Sequence, residues 1–110
     1  MRLIIIESDS DLREFLTEMF VSGSHQVHAY RSLESLRLTD LEQADLVILE
    51  WDHDPEGVTR FLKGRGSPSK EVPVIMICTD PPEDRTVRGL CMDVCEKPHL
   101  SILTQLAQGT

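Results

Sequence analysis

Two hydrophobic periods alternate along the chain. Leu3 to Ile6, Leu46 to Leu49 and Val74 to Cys78 are continuous apolar runs rich in β-branched residues. Such runs, with no polar residue to mark a wet face, predict strands buried on both sides of a sheet. Gln26 to Tyr30 alternates and Asp93 to Glu96 is short, so both read as weaker strands. Between these runs the apolar residues recur at every third or fourth position. Leu12, Phe15, Leu16, Met19 and Phe20 make one helical face. Ser8 with Asp11 three residues on predicts a capping box at its start, and Gly23 suits its end. Ser32 opens a second helix carrying Leu33, Leu36 and Leu41. Val58, Phe61 and Leu62 mark a third helix that ends near Gly64, and GRGSPSKE after it is a loop. Asp80-Pro81-Pro82-Glu83 combines an Asp cap, a proline at the first position and a Glu at the third, which predicts a fourth helix running to about Gly89. Lys97-Pro98 breaks the last strand, and Leu100, Leu103, Leu106 and Ala107 line a final helix.

Strand and helix therefore alternate five times. That order predicts an α/β fold: a five-stranded parallel sheet with helices on both faces and right-handed crossovers. Working sites in such sheets lie outside the carboxyl ends of the strands. Here those ends carry Glu7-Ser8, Glu50, Cys78-Thr79 and Lys97, and the four segments should converge.

Composition narrows the functional classes. At 110 residues the chain suits one domain with one core, taken as residues 1–107, with 108–110 a tail or the start of a linker to an output domain. A formal net charge of -8 argues against direct nucleic-acid binding, which needs clustered Lys and Arg. It also argues against anchoring on an anionic membrane surface. The apolar runs are too short to span a bilayer, and Glu7 ends the first one too early for a signal peptide. Three cysteines, an odd number, suit reduced thiols and a cytoplasmic location better than a disulfide framework.

The stretch ADLVILEWDHDPEG, residues 44–57, is where chemistry would sit. A buried strand ends on a carboxylate, Glu50, and an acidic turn follows. With IIIES at the first strand end, PVIMICT at the fourth and Val94 three residues before Lys97-Pro98, the order and spacing of these segments resemble the receiver domains of two-component response regulators over essentially the whole chain. The resemblance implies a flavodoxin-like sheet of order 2-1-3-4-5. It also implies a set of equivalents: Glu50 at the phosphoacceptor position, Glu7, Ser8 and Asp52 in the acidic metal pocket, and Cys78, Val94 and Lys97 at the switch positions. Working receivers hold magnesium on paired acids and a loop carbonyl, take a phosphoryl group on Asp, and grip it with Thr or Ser and Lys.

Most of these parts are altered. Ser8 is a neutral hydroxyl where magnesium calls for a carboxylate. Glu50 is one methylene longer than Asp, displacing its oxygens by about 1.5 Å, and ~1 Å of misplacement can cost ~100-fold in such a reaction. Cys78 offers only a weak S–H donor, and Val94 has no aromatic ring to turn inward. Lys97 alone matches fully. The expectation is a receiver-like regulatory module that has kept the fold and lost the phosphorylation chemistry. It is not an enzyme, has no resident cofactor, and acts through a protein partner or a homodimer on the face made by the fourth helix, fifth strand and fifth helix, where Arg85, Arg88 and His99 lie. It could serve as the N-terminal regulatory domain of a transcription regulator. In some receivers Glu at the acceptor position imitates the phosphorylated state. Here a Glu50–Lys97 pair that fixes one conformation is the stronger expectation.

Two alternatives stand beside it. One is a working magnesium-dependent phosphoacceptor that uses Glu50 or a nearby Asp, with weak magnesium binding by Glu7, Asp9, Asp52 and Asp54. The other is a redox or small-molecule sensor built on the same scaffold, with Cys78 or Cys91 as the reactive thiol. Cys91, Cys95 and His99 have a C-x3-C-x3-H spacing that would suit zinc on a helix, but the strand and Pro98 interrupt it.

Overall fold

The computed structural model describes residues 1–64, 72–97 and 99–108. Five strands, β1 (Arg2–Ile6), β2 (Gln26–Tyr30), β3 (Leu46–Glu50), β4 (Val74–Cys78) and β5 (Asp93–Glu96), alternate with five helices. The helices are α1 (Ser10–Ser22), α2 (Leu38–Gln43), α3 (Pro55–Gly64), α4 (Arg85–Gly89) and α5 (Ser101–Ala107), with a 3₁₀ turn at Leu33–Ser35. All four strand pairings are parallel, and the sheet order is β2-β1-β3-β4-β5. Most of the loop foreseen over GRGSPSKE, and the strand-breaking Pro98, lie outside the described residues.

The apolar runs of β1, β3 and β4 supply two cores, one on each face. Leu3, Ile5, Leu46, Ile48, Ile75 and Ile77 face α1 and α5, where Leu16, Phe20, Leu103 and Ala107 complete the first core. Ile4, Ile6, Val47, Leu49, Val74 and Met76 face the other way, onto Val58 and Leu62 of α3 and Val87 of α4. Alternate side chains of a strand point to opposite faces, so a strand with helices on both sides must be apolar throughout. Register then fixes the site. Ile6 pairs with Leu49 and Glu50 with Ile77, so the strand ends draw level on one edge of the sheet.

Three element starts differ from expectation, each for a local reason. Asp9, not Ser8, caps α1, accepting from the N–H groups of Asp11 and Leu12 at 2.9 and 3.1 Å. A carboxylate also complements the positive end of the helix, and the Ser8 hydroxyl is engaged elsewhere. The α4 helix begins at Arg85 with Asp84 as its cap. Pro82 disfavours helical geometry at Pro81 before it, which keeps the helix from starting at the Asp80 signal. Ser32 opens only the 3₁₀ turn. Leu36 and Arg37 are extended after it, and α2 starts at Leu38.

Gly23 closes α1 with an ordinary φ of -82°, while Ser24 takes the left-handed conformation at φ 69°. Glycine is required at 23 for space, because a Cβ there would lie 1.8 Å from the backbone oxygen of Ala107 at the end of α5.

Candidate functional site

Three strands, β1, β3 and β5, deliver polar side chains to one point. Glu7 follows β1 and is fully buried; Glu50 ends β3 and is 7% exposed. Lys97 follows β5 and reaches back between them. Its Nζ donates to Glu50 Oε2 at 3.0 Å and lies 3.1 Å from Glu7 Oε1 and 3.5 Å from Asp52 Oδ2. The main chain holds Lys97 in place through its N–H, which donates to the Cys78 carbonyl at 2.7 Å. The pair foreseen between Glu50 and Lys97 is present, with two further acids gathered around the same ammonium.

Ser8 completes the surroundings of Glu50. Its hydroxyl donates to Glu50 Oε1 at 2.7 Å and its backbone N–H to the same oxygen at 3.0 Å. Glu7 is held at Oε2 by the Asp9 N–H at 3.0 Å, and its carbonyl accepts from Arg13 at 2.9 Å. Glu7 Oε1 has no hydrogen bond among the described residues. Its 3.1 Å contact with Lys97 is an ion pair without hydrogen-bond alignment. Both Asp52 oxygens accept from the Thr79 N–H, at 3.0 and 2.9 Å, and Oδ2 also accepts from the Thr79 hydroxyl at 3.0 Å. Asp52 thus ties the loop after β3 to the end of β4.

The electrostatics divide the two glutamates. Burial, reinforced by the hydrogen bond and charge of Glu50, pushes Glu7 up to about 7. Burial also works against the Glu50 charge, but the neighbouring Glu7 carboxyl and the hydrogen bonds from the Ser8 hydroxyl, the Ser8 N–H and Lys97 outweigh it and pull Glu50 down to about 2. Burial likewise opposes the Lys97 charge, and the hydrogen bond to Glu50 with the adjacent Glu7 and Glu50 carboxyls raises its pKa regardless. The centre is a Glu50 carboxylate paired with a Lys97 ammonium, beside a Glu7 carboxyl whose burial raises its affinity for a proton.

The pocket therefore gathers Glu7, Ser8, Glu50, Asp52 and Lys97. The other two residues assigned to switch positions, Cys78 and Val94, pack into the sheet and the second core. Cys78 is fully buried and its thiol donates to the Cys95 carbonyl at 3.7 Å. Burial, then the charges of Asp52 and Glu96, push that thiol up to about 11, so it is a poor thiolate source. Val94 packs against the second core. Asp54, weighed as a metal ligand, instead accepts from the Gly57 N–H at 3.0 Å at the start of α3. Trp51 packs at the edge of the second core and lines a shallow groove with Pro55, Glu56, Thr59 and Arg60. Cys91 packs against the second core and Cys95 belongs to the first, so the sheet separates the two cysteines of the zinc-like spacing. Sequence reasoning placed Thr79 among the converging strand ends but gave it no partner, and gave no role to Arg13. The hydroxyl beside Cys78 at a strand end was a visible signal for Thr79, whereas nothing local marked Arg13.

The donor set does not fit magnesium. A hard cation of that size wants paired carboxylates at close to octahedral geometry. Here Ser8, between Glu7 and Asp9, offers a hydroxyl that donates to Glu50. The point on which the carboxylates converge is taken by the Lys97 ammonium.

No family model matches the chain, and no curated protein does. Among solved structures the resemblance is extensive in shape and low in sequence. An orphan response regulator of H. pylori superposes with a TM-score of 0.70 at 22% identity, covering 97% of this chain and 90% of that one. The pseudo-receiver domain of the CikA protein gives 0.71 at 18%, covering 98% and 94%. An atypical orphan response regulator, described as having a phosphorylation-independent regulatory mechanism, gives 0.71 at 19%, covering 99% and 93%. The fold of this chain is that of the response-regulator receiver and pseudo-receiver domains, a doubly wound sheet of order 2-1-3-4-5.

Proposed function

We propose that this domain is a phosphorylation-independent regulatory module of the receiver fold, acting by protein–protein contact and not as an enzyme. The saturation of Glu50 carries the reading. A phosphoacceptor must offer a carboxylate oxygen to an incoming phosphorus atom, in line and unobstructed. Oε1 of Glu50 accepts two hydrogen bonds from Ser8 and Oε2 accepts one from Lys97. Attack would require breaking these bonds on a side chain that is only 7% exposed.

The same contacts support a fixed conformation. Lys97 links the ends of β1 and β3 and the loop after β3 to the end of β5. The readout parts are absent too, since Cys78 is bonded within the sheet and Val94 is packed. The contact surface is the face of α4, β5 and α5. It offers exposed Arg85 and His99, half-buried Arg88, and Met92 at 56% exposure, to a protein partner or to a second copy. Three cysteines, an odd number, suit a cytoplasmic setting better than a disulfide framework. Among the described residues no helix is long and apolar enough to cross a membrane.

Trp51, the single tryptophan and the neighbour of Glu50, provides the test. Its fluorescence is followed as magnesium and then beryllium fluoride, which stands in for a phosphoryl group, are added. The expected result is no saturable response to either. A magnesium response followed by a beryllofluoride step would make the chain a working receiver.

A further inference from the structure

One ammonium faces three carboxylates. Lys97 Nζ is 3.0 Å from Glu50, 3.1 Å from Glu7 and 3.5 Å from Asp52. The acids come from different segments and are held from behind: Glu7 by the Asp9 N–H, Glu50 by Ser8, Asp52 by Thr79. Glu7 Oε1 is buried, aimed into the pocket, and without a hydrogen bond. These carboxylate oxygens converge on one point, and the Lys97 ammonium fills it; among the described residues no group of three acids stands open to a metal ion.

We infer that Lys97 is the resident cation of this pocket, neutralising Glu7, Glu50 and Asp52 in place of a divalent ion and keeping such an ion out. The inference rests on the reading of the site as closed to phosphorylation. A divalent ion would have to share the pocket with a like charge, or expel a side chain that bonds Glu50. Removing the ammonium leaves these acids with no cation and opens the point on which they converge to a divalent ion.

The probe is Mn²⁺ alone, followed by the loss of its free paramagnetic signal and by the melting temperature of the protein. Wild type and Lys97→Arg should leave Mn²⁺ free up to millimolar concentration. Lys97→Met should bind one ion per chain, at least about tenfold more tightly than wild type, and should melt higher in its presence. Adding Glu7→Gln to Lys97→Met should weaken that binding again. Lys97→Met that is unfolded alone and folds with Mn²⁺ supports the inference. Submillimolar binding by wild type or Lys97→Arg overturns it. So does a folded Lys97→Met that binds no tighter, or one that stays unfolded in saturating Mn²⁺, since the ion then fails to replace the ammonium. The two readings fail separately. Mn²⁺ binding by wild type without phosphoryl uptake defeats this inference alone, and phosphoryl uptake by a wild type that excludes Mn²⁺ defeats the functional reading alone.

Discussion

Ser8 gives Glu50 two hydrogen bonds to a single oxygen, from its hydroxyl at 2.7 Å and its backbone N–H at 3.0 Å. Ser8 thus secures the Glu50 carboxylate at the end of β3. Ser8→Ala should destabilise the fold by about 1–2 kcal/mol, because it removes a hydrogen bond to a charged, mostly buried group. Ser8→Asp should cost more, as it sets a second carboxylate against Glu50. Urea titration of the three proteins checks the order; Ser8→Asp as stable as wild type would mean that the hydroxyl contact matters little.

Glu50→Gln keeps the shape and removes the charge. Lys97 then loses its best-aligned partner, and the expected loss of stability is roughly 1–3 kcal/mol, below that of a fully buried pair because Lys97 is 21% exposed. Binding of any partner captured by the wild type should change less than tenfold. Binding abolished in a folded Glu50→Gln protein would show that the Glu50 charge itself imitates an active state.

Stability should peak in mildly acidic solution. Glu7 has a folded pKa raised to about 7, against 4.5 unfolded. Its contribution is present below 4.5 and is lost as pH rises through 7. Glu50 has a folded pKa lowered to about 2. Its contribution is present above 4.5 and is lost as pH falls towards 2. The free energy of unfolding should therefore decline between about pH 5 and 7, by on the order of 1–3 kcal/mol. Glu7→Gln should flatten that limb, and because Glu7 helps to lower the Glu50 pKa it should also move the acid limb of Glu50. Denaturant midpoints measured every half unit of pH provide the check, and a wild-type profile flat from pH 5 to 7 would contradict it.

Gly23→Ala should be among the costlier single-methyl changes in the chain. The added carbon would meet the Ala107 oxygen at 1.8 Å, so α5 or the end of α1 must move. A loss of about 1–3 kcal/mol is expected, with increased amide exchange at the start of β2, where the His25 ring also contacts Ala107 at 3.2 Å. A neutral effect would mean that α5 is only loosely docked.

Much of this was legible in the sequence because the strong signals were non-local in effect and simple in form. Uninterrupted apolar runs at Leu3, Leu46 and Val74 imply burial on both faces, and that alone implies helices on both sides. The acids and the lysine at the strand ends converge because parallel strands end on one edge. Helix starts were read less well. Ser8 carries a good capping signal, but a tertiary partner, Glu50, claims its hydroxyl. Asp80 carries another, defeated by the geometry of two adjacent prolines. The roles of Asp52 and Thr79 depend on how two loops approach each other, which no spacing rule encodes. That Lys97 faces three acids and not one follows from side-chain reach, which is visible only in three dimensions.

The central claim is that Glu50 is held as a structural carboxylate and does not act as a nucleophile. Incubation of the wild-type protein with acetyl phosphate and magnesium, followed by intact mass, tests it most directly. The expected spectrum shows the unmodified chain alone. A stoichiometric gain of one phosphoryl group, mapped to Glu50, would contradict the claim.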